Sequence, residues 1–358
     1  MFHHFHDERK HYKGQGSISM SDFEAILMFV GLDRILDPKE WLKRLGANQL
    51  TNRDVCITLD DGLLCQFDVV LPVLDKYNLK AFWFVYSSVF EGGLGKFEIY
   101  RVFRSKFFKD IDDFYNIFFD KIFQSKFGNN ARKVLEETDM VRYSKTFPFY
   151  STNDMRFRLI RDRVLSREEF EIIMDAIIQD QGLNLADLSK NIWMSNENLA
   201  YLNRQGHVIG LHSYSHPMML AELPFERQQE EYQKNYEHIQ RVCGRPPVDM
   251  AHPANSYNDS TLKILSQLGV ECGFKSNMFP RDDPVRDTTN KHTKKAGGRS
   301  VPVGDNDKLT RHGCDRVATC LVRDDPSQLN KSKYEIARED HANIMRMMTR
   351  PVRGTTGN

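Results

Sequence analysis

The sequence predicts an α/β fold built on a parallel sheet. Short runs of strand-forming residues alternate with segments whose apolar residues recur at helical spacing, which is the pattern of β–α–β units. Several runs lead directly into polar motifs, as expected where the strands of a parallel sheet end. The chain has 358 residues, of which 40% are hydrophobic, so it is long enough for one large α/β domain or two ordinary ones.

The first ninety residues contain the first predicted units. Residues 1–7, in which histidine and phenylalanine alternate, form a candidate strand. Ser21 and Glu24 form a predicted capping box at the start of the first helix. The elements expected next are a helix from Asp37-Pro38 to Gly46, a strand over 55–59, a helix to about residue 78 and a strand over 80–87.

From residue 92 to residue 198 only helical spacing is found, and we interpret this part as a helical insertion. Its many aromatic residues are expected to form the insertion's own core, although they could instead cover a site or bind a partner. The surrounding domain is then discontinuous, over 1–91 and 199–350. Residues 280–330 are polar and lack periodicity, which indicates a long loop or a partly disordered segment.

After the insertion the alternation resumes. The elements predicted there are helices over 195–205, 224–244, 258–269 and 342–348, and strands over 207–211, 248–251, 271–275 and 334–338.

Composition excludes several classes of function. The net charge of +1 gives no sign of a nucleic-acid partner. The six cysteines include no CxxC pair, so reduced thiols are expected rather than a disulfide framework. The first residues have no apolar core of a secretory signal, and no apolar run reaches the roughly 20 residues of a membrane span. We therefore expect a cytoplasmic protein without a membrane span, whose oligomeric state the sequence leaves open.

The stretch Thr58-Leu59-Asp60-Asp61-Gly62 is the first candidate site. Two adjacent carboxylates end a predicted buried strand, and the glycine after them permits a turn that brings both to one side. Two carboxylates that lie close together require a positive neighbour if both are to stay ionised, and a metal ion is one such neighbour. The alternative is a strand-ending turn, in which Asp and Gly are common.

His212 and His216 are the second candidate site. They follow another predicted strand, and a spacing of four lets two imidazoles converge. One aspartate and two histidines make a set of three ligands that leaves positions open for water and substrate. A divalent ion held in this way lowers the pKa of its water from about 16 to about 7, and the second carboxylate can then take the proton. Two buried, hydrogen-bonded histidines without a metal are the alternative.

These motifs resemble those of the NodB-homology polysaccharide deacetylases. TLDDG is similar to the family's TFDDG, and HSYSHP is similar to its histidine motif, including the final proline. KAFWFVYSS resembles the strand after the first motif, and the segment from Met250 to Gly269 resembles the later YPxGxYN segment with its helix. MFHHF also looks like the family's first strand. The resemblance covers residues 1–91 and 199–276.

The resemblance implies a distorted (β/α)7 barrel and metal-dependent hydrolysis of an acetyl group, usually N-linked, on a sugar. Carried over by position, Asp60 is the general base, and the metal ligands are Asp61, His212 and His216, with zinc as the expected ion. The backbone N–H of Ala254 would contact the oxyanion.

The chain departs from the family pattern in the third and later motifs. His252 stands where Tyr is usual, and we interpret it as a further catalytic residue, with simple packing as the alternative. Arg338 and Arg281 are the candidates for the arginine that braces the catalytic aspartate. Arg338 is preferred because it ends a strand-like run. The family's general-acid histidine has two weak candidates, His341 and His312. His3, His4 and His6 are interpreted as strand residues, one of which could line the barrel.

Two functions follow from these observations. The favoured one is removal of an N-acetyl group from a nucleotide- or lipid-linked saccharide that is a precursor of a surface polysaccharide such as lipopolysaccharide. The alternative is a barrel that has lost catalysis and binds carbohydrate, or serves as a scaffold, in glycan biosynthesis. The missing general acid favours the second, and the complete set of aspartates and histidines favours the first.

Overall fold

The computed structural model describes residues 1–7, 9–141, 151–277, 333 and 335–349. In this part of the chain six strands form one sheet, every neighbouring pair is parallel, and their order in space is their order in sequence. The strands are β1 (Thr58–Asp60), β2 (Phe82–Val85), β3 (Val208–Leu211), β4 (Asp249–Ala251), β5 (Cys272–Asn277) and β6 (Ile336–Glu339).

The first two residues join the outer strands of the sheet. The amine of Met1 donates to the carbonyl of Glu339 in β6 at 2.8 Å. On the other side, the N–H of Phe2 donates to Thr58 O at 2.9 Å, and Asp60 N donates to Phe2 O at 3.0 Å. The sheet therefore closes into a distorted barrel of six strands and one bridging segment. The predicted (β/α)7 fold is confirmed, with the difference that residues 1–7 form isolated bridges at Phe2 and Phe5 instead of a continuous strand.

Helices precede and follow the strands as predicted. They are α1 (Met20–Val30), α2 (Pro38–Gly46), α3 (Leu71–Lys76), α4 (Lys96–Phe107), α5 (Ile111–Gln124), α6 (Gly128–Glu137), α7 (Thr152–Arg163), α8 (Arg167–Asp180), α9 (Leu185–Leu188), α10 (Asn196–Arg204), α11 (Phe225–Cys243), α12 (Asp259–Gln267) and α13 (His341–Thr349). A short π-helical turn, Gln66–Val70, precedes α3. Within the described residues no helix is both long and apolar enough to span a membrane.

The capping box of α1 differs from the prediction. The N-cap is Ser19 and its partner is Asp22, two residues earlier than the predicted pair of Ser21 and Glu24. The Glu24 carboxylate instead accepts hydrogen bonds from Lys76 and Tyr77. Both pairs have the same spacing and chemistry, so only the backbone conformation at Ser19 decides between them.

The strands separate two apolar cores, because neighbouring residues on a strand point to opposite faces. Phe82 and Phe84 face the inside of the barrel. The ring centroid of each lies 5.4 Å from that of Phe274, and the rings of Phe82 and Trp41 are 6.1 Å apart. The residues between them belong to the larger core outside the sheet. This interior core fills the barrel below the ends of the strands, so polar groups of a site can gather only at the rim.

The aromatic residues of α4 to α8 form a buried core of their own. Phe114, Phe118 and Phe157 are at most 2% exposed, and Phe157 contacts the other two rings edge to face. The interpretation of these residues as core is thereby confirmed. The division of the chain into a barrel and an insertion stays a prediction. Residues 142–150 and all of 280–330 lie outside the described residues, and the prediction of a polar loop over 280–330 is not tested.

Candidate metal and catalytic site

The turn after β1 brings Asp60 and Asp61 to the rim of the barrel. Asp60 ends the strand, and Asp61 and Gly62 then take positive φ angles of 82° and 72°. The N–H of Asp61 donates to Phe84 O at 2.9 Å, which holds the turn against β2. Glycine is required for the second of these positions, because its missing Cβ leaves this conformation free of strain. The side chains of Asp60 and Asp61 therefore lie at the same site but point in different directions.

Asp61, His212 and His216 converge on one point. One ligand atom from each lies within 4.8 Å of the other two, and the imidazole Nε2 atoms are 3.4 and 3.6 Å from Asp61 Oδ1. The remaining ring nitrogen of His212, Nδ1, bonds to Ala251 O at 2.8 Å, which orients Nε2 toward the site. One carboxylate and two such imidazoles are a fitting donor set for a divalent ion.

The electrostatics of these three side chains are set by burial and by one another. Burial alone would raise the pKa of Asp61, but the hydrogen bond and charges of the two histidines bring it well below its usual value. Burial opposes the charged form of His212 as well, yet its contact with Asp61 raises its pKa. For His216 the charge of Asp61 offsets burial only in part, and burial lowers the pKa of this imidazole to about 4. The site therefore holds an ionised carboxylate beside at least one neutral imidazole at neutral pH.

Helix α11 holds the loop that carries both histidines. Asn235 accepts the N–H of His212 at 2.9 Å and donates to Val85 O in β2 at 2.9 Å. Glu231 accepts the N–H groups of Tyr214 and Ser215 at 3.0 and 2.7 Å. These contacts fix a loop in which Ser213 and His216 have positive φ angles of 64° and 53°. The sequence analysis did not identify Glu231 or Asn235, although their spacing of four on a helix was a possible signal.

Arg338 lies on Asp60, as preferred from the sequence. Its Nη1 and Nη2 atoms donate to Oδ1 and Oδ2, both at 2.6 Å, and its guanidinium is stacked against Phe84 and Phe274. Burial alone would raise the pKa of Asp60, but the charge of Arg338 outweighs it and the pKa lies below its usual value. The other candidate, Arg281, lies outside the described residues.

His3 is also at the site, with Nε2 at 3.6 Å from Asp60 Oδ2. The sequence indicated only that one of the first three histidines could line the barrel. His4 and His6 point elsewhere, to Glu98 and Ser17. His341, the candidate general acid, bonds through Nε2 to Gly16 O at 3.1 Å, and its companion candidate His312 is outside the described part of the chain.

The third motif forms a strained turn after β4. Ala254 and Asn255 have φ angles of 49° and 57°, and among the described residues the exposed N–H of Ala254 has no acceptor. The side chain of Asn255 bonds to both the N–H and the C=O of Ser276, at 2.6 and 2.9 Å. Asparagine tolerates this backbone conformation. His252 is buried, and its ring is stacked on that of Tyr257 with the two centroids 4.0 Å apart. It therefore packs against a neighbouring side chain, and its catalytic role stays a prediction.

Part of the chain is similar to a known protein family. Residues 186–273 match the family model described as polysaccharide deacetylase. A deacetylase from Streptococcus pyogenes, PplD, is 16% identical, with 77% of this chain and 82% of that chain covered and a TM-score of 0.45. A de-N-acetylase from Aggregatibacter actinomycetemcomitans is 12% identical, with 77% and 86% covered and a TM-score of 0.46.

IcaB from Ammonifex degensii is 15% identical, with 90% of this chain and 95% of that chain covered and a TM-score of 0.44. Identities and TM-scores this low carry no information about the reaction. No curated protein matches the chain significantly. The segment matched by the family model contains His212, His216 and the third motif. The predicted resemblance to the polysaccharide deacetylases is thereby confirmed, with residues 186–273 as the part that the family model matches.

Proposed function

We propose that this protein is a metal-dependent hydrolase that removes an N-acetyl group from a sugar. Its substrate would be a nucleotide- or lipid-linked precursor of a surface polysaccharide such as lipopolysaccharide, which places the reaction in the cytoplasm. The observation that carries the proposal is the convergence of Asp61, His212 and His216 beside a second aspartate held by an arginine. This arrangement combines a site for a divalent ion with a free carboxylate base.

Asp61, His212 and His216 would hold the ion, with zinc as the expected metal because two of the three donors are imidazoles. A bound divalent ion would supply Lewis acidity at the acetamide. The rest of the chemistry falls to the protein's own groups. The reaction consumes one water and yields acetate and the free amine of the sugar.

Asp60 would accept the proton of the attacking water. Its carboxylate is ionised because Arg338 lowers its pKa, and both of its oxygens are oriented by the two short bonds to the guanidinium. Because carboxylate oxygens have further lone pairs, each can still accept a proton from the side facing the site. Arg338 is therefore a positioning residue for the base.

Two further groups complete the site. The free N–H of Ala254 would donate to the oxyanion that forms when water attacks the acetyl carbon. His3 is our candidate for the donor that protonates the departing amine, because its Nε2 lies 3.6 Å from Asp60 Oδ2 and its side chain is still 26% exposed to solvent. His3 would thus take the general-acid role for which His341 and His312 are the candidates from the sequence.

Acetate release from N-acetylated sugars tests the proposal. Asp60→Asn is expected to lower kcat by about 10²–10⁴-fold, the usual contribution of a general base. His3→Gln should lower kcat with little change in KM and should alter the alkaline limb of the pH profile, which a purely structural residue would not do. Unchanged acetate release by Asp60→Asn would show that the hydrolytic mechanism is wrong.

A barrel that binds carbohydrate without catalysis is the second candidate. The stacking of His252 on Tyr257 favours it, since the residue that departs from the family pattern is used for packing. Metal analysis separates the two candidates. A catalytic site should retain, or regain on dialysis, about one divalent ion per chain, whereas a binding barrel would hold none.

A further inference from the structure

A large basic cavity adjoins the proposed catalytic site. Its volume is about 450 Å³, and it lies between the N-terminal loop, helix α4 and the segments 63–65 and 187–192. The charge of Asp61 acts on Arg101 in the cavity wall, and two short stretches of chain run from the site to that wall. His3 contacts Asp60, and the next residue, His4, lines the cavity. On the other side, Leu63 follows the Asp61-Gly62 turn directly and is part of the cavity wall.

Positive charge dominates the cavity wall. Five lysine and arginine side chains line it, against only two carboxylates, those of Glu98 and Asp187. Both carboxylates are already paired, Glu98 with His4 at 2.9 Å and Asp187 with Lys190 at 2.6 Å. The ammonium of Lys10 lies 3.5 Å from Asp68 Oδ2, an oxygen that His11 also contacts. The basic groups therefore outnumber the acids that could neutralise them.

Three of the cations remain without a carboxylate. Arg9, Arg101 and Lys106 form no ion pair with any of the described residues. Arg101 is half-buried, and burial lowers the pKa of its guanidinium. One NH2 group of the Arg101 guanidinium donates to Gln15 O. The other N–H donors of this guanidinium can therefore bind a ligand. The charge of nearby Glu98 offsets the burial of Arg101 only in part, since the pKa stays lowered, and an anionic ligand would offset more of that cost.

The loop that closes one side of the cavity is built for close contact with α4. A Cβ atom on Gly14 would meet Ser105 Oγ at 2.5 Å and Arg101 Nη2 at 3.5 Å. The missing Cβ lets the loop approach α4 closely, and the carbonyl of the next residue, Gln15, accepts a hydrogen bond from Arg101. The cationic groups thus belong to a formed wall of the cavity, held beside the N-terminal segment that also carries His3.

We propose that this cavity binds the diphosphate of a carrier-linked N-acetylated sugar and so selects a precursor over the finished polymer. The inference rests on the proposed function, because it places the N-acetyl group at the aspartates and the carrier in the cavity. A diphosphate carries enough charge to pair with Arg9, Arg101 and Lys106, and guanidinium groups bind phosphate oxygens in pairs. A neutral polymer has no group with that chemistry. Nucleoside diphosphates and polyprenyl diphosphates share it.

Calorimetric titration with inorganic pyrophosphate tests the cavity directly. The triple variant Arg9→Gln, Arg101→Gln and Lys106→Gln removes the three unpaired cations. A matched control, Lys43→Gln, Lys121→Gln and Lys133→Gln, removes the same charge from exposed positions on α2, α5 and α6. We expect pyrophosphate to bind the wild type and the control alike, and the triple variant at least about tenfold more weakly. Equal affinity of all three proteins, or no saturable binding to the wild type, would overturn the proposal.

Acetate release from three substrates then identifies the carrier. They are uridine diphosphate N-acetylglucosamine, a short-chain polyprenyl diphosphate N-acetylglucosamine and a neutral chito-oligosaccharide. In the triple variant, kcat/KM for one of the diphosphate substrates should fall at least about tenfold more than kcat/KM for the neutral one. The diphosphate substrate that shows this larger fall identifies the class of carrier. An equal reduction for all three contradicts the proposal. If the wild type releases acetate from none of them, the proposed function fails, while the pyrophosphate titration still decides whether the cavity binds diphosphate.

Discussion

Arg338 binds Asp60 through both nitrogens of its fork, Nη1 to Oδ1 and Nη2 to Oδ2, each at 2.6 Å. The two residues are 278 positions apart in the sequence and about 2–5% exposed. The pair joins β6 to β1 across the segment that closes the barrel. It therefore contributes both to the closure of the fold and to the ionisation of the proposed base.

Removing one member of this pair should destabilise the protein strongly. Arg338→Met leaves the Asp60 carboxylate buried without a partner, and we expect a loss of about 3–5 kcal/mol in the free energy of unfolding, measured with urea. The double variant Arg338→Met with Asp60→Asn should recover part of that loss. The exposed pair Arg53–Asp33, at 3.1 Å, provides the control, because Arg53→Met should cost less than about 1 kcal/mol. Equal effects of the two single variants would contradict this account of the buried pair.

Metal affinity should depend on Asp61. Asp61→Asn removes the charged ligand of the proposed site, and zinc binding measured by calorimetry is expected to weaken by more than about 100-fold, which is the upper range for loss of an outer-shell partner. Asp120→Asn, an exposed carboxylate on α5, should leave the affinity unchanged. Retained stoichiometric binding in Asp61→Asn would place the metal elsewhere.

Glu231 should matter for metal binding although it is not a ligand. Glu231→Gln replaces the carboxylate that accepts two backbone N–H groups and the hydroxyl of Ser215, and the histidine loop would lose its charged anchor. We expect zinc affinity to fall by about 10–100-fold. Glu237→Gln on the exposed face of the same helix is the matched control. If both variants bind zinc like the wild type, the loop is held by Asn235 alone.

The buried carboxyl group of Asp249 should make the free energy of unfolding depend on pH, independently of the proposed metal site. Its carboxylate faces the barrel interior, both of its oxygens lack hydrogen-bond partners among the described residues, and burial raises its pKa to about 7 from 3.8. Between these two values the folded protein holds a proton that the unfolded chain releases, so stability falls as pH rises through this window. The slope should approach about 1.4 kcal/mol per pH unit.

Chemical unfolding of wild type and Asp249→Asn at several pH values measures this effect. The stability of the variant should be less sensitive to pH between about 4 and 7, and its advantage over the wild type should be greatest above pH 7. Asp33→Asn, fully outside the core, is the control that should leave the slope unchanged. Parallel pH curves for wild type and Asp249→Asn would mean that this carboxyl titrates normally.

The sequence by itself determined the elements and most of the site. Alternating apolar and helical patterns predicted the parallel strands, because hydrophobic periodicity is a local property of the chain. Since the carboxyl ends of parallel strands meet at one rim, the motifs after β1 and β3 could be expected to converge. The position of Arg338 at the end of a strand-like run favoured it as the partner of Asp60, and its guanidinium does contact that carboxylate, whereas Arg281 lies outside the described residues.

Only the tertiary structure decided which distant side chains meet. His3 reaches Asp60 because the first residues join β6 to β1, and nothing in the local pattern of alternating His and Phe selects that histidine from its neighbours. Glu231 and Asn235 look like exposed residues of a polar helix, since helical spacing does not show which polar stripe is buried. The basic cavity likewise combines residues from segments far apart in sequence. Contacts of this kind depend on the closure of the barrel, which local sequence periodicity does not encode.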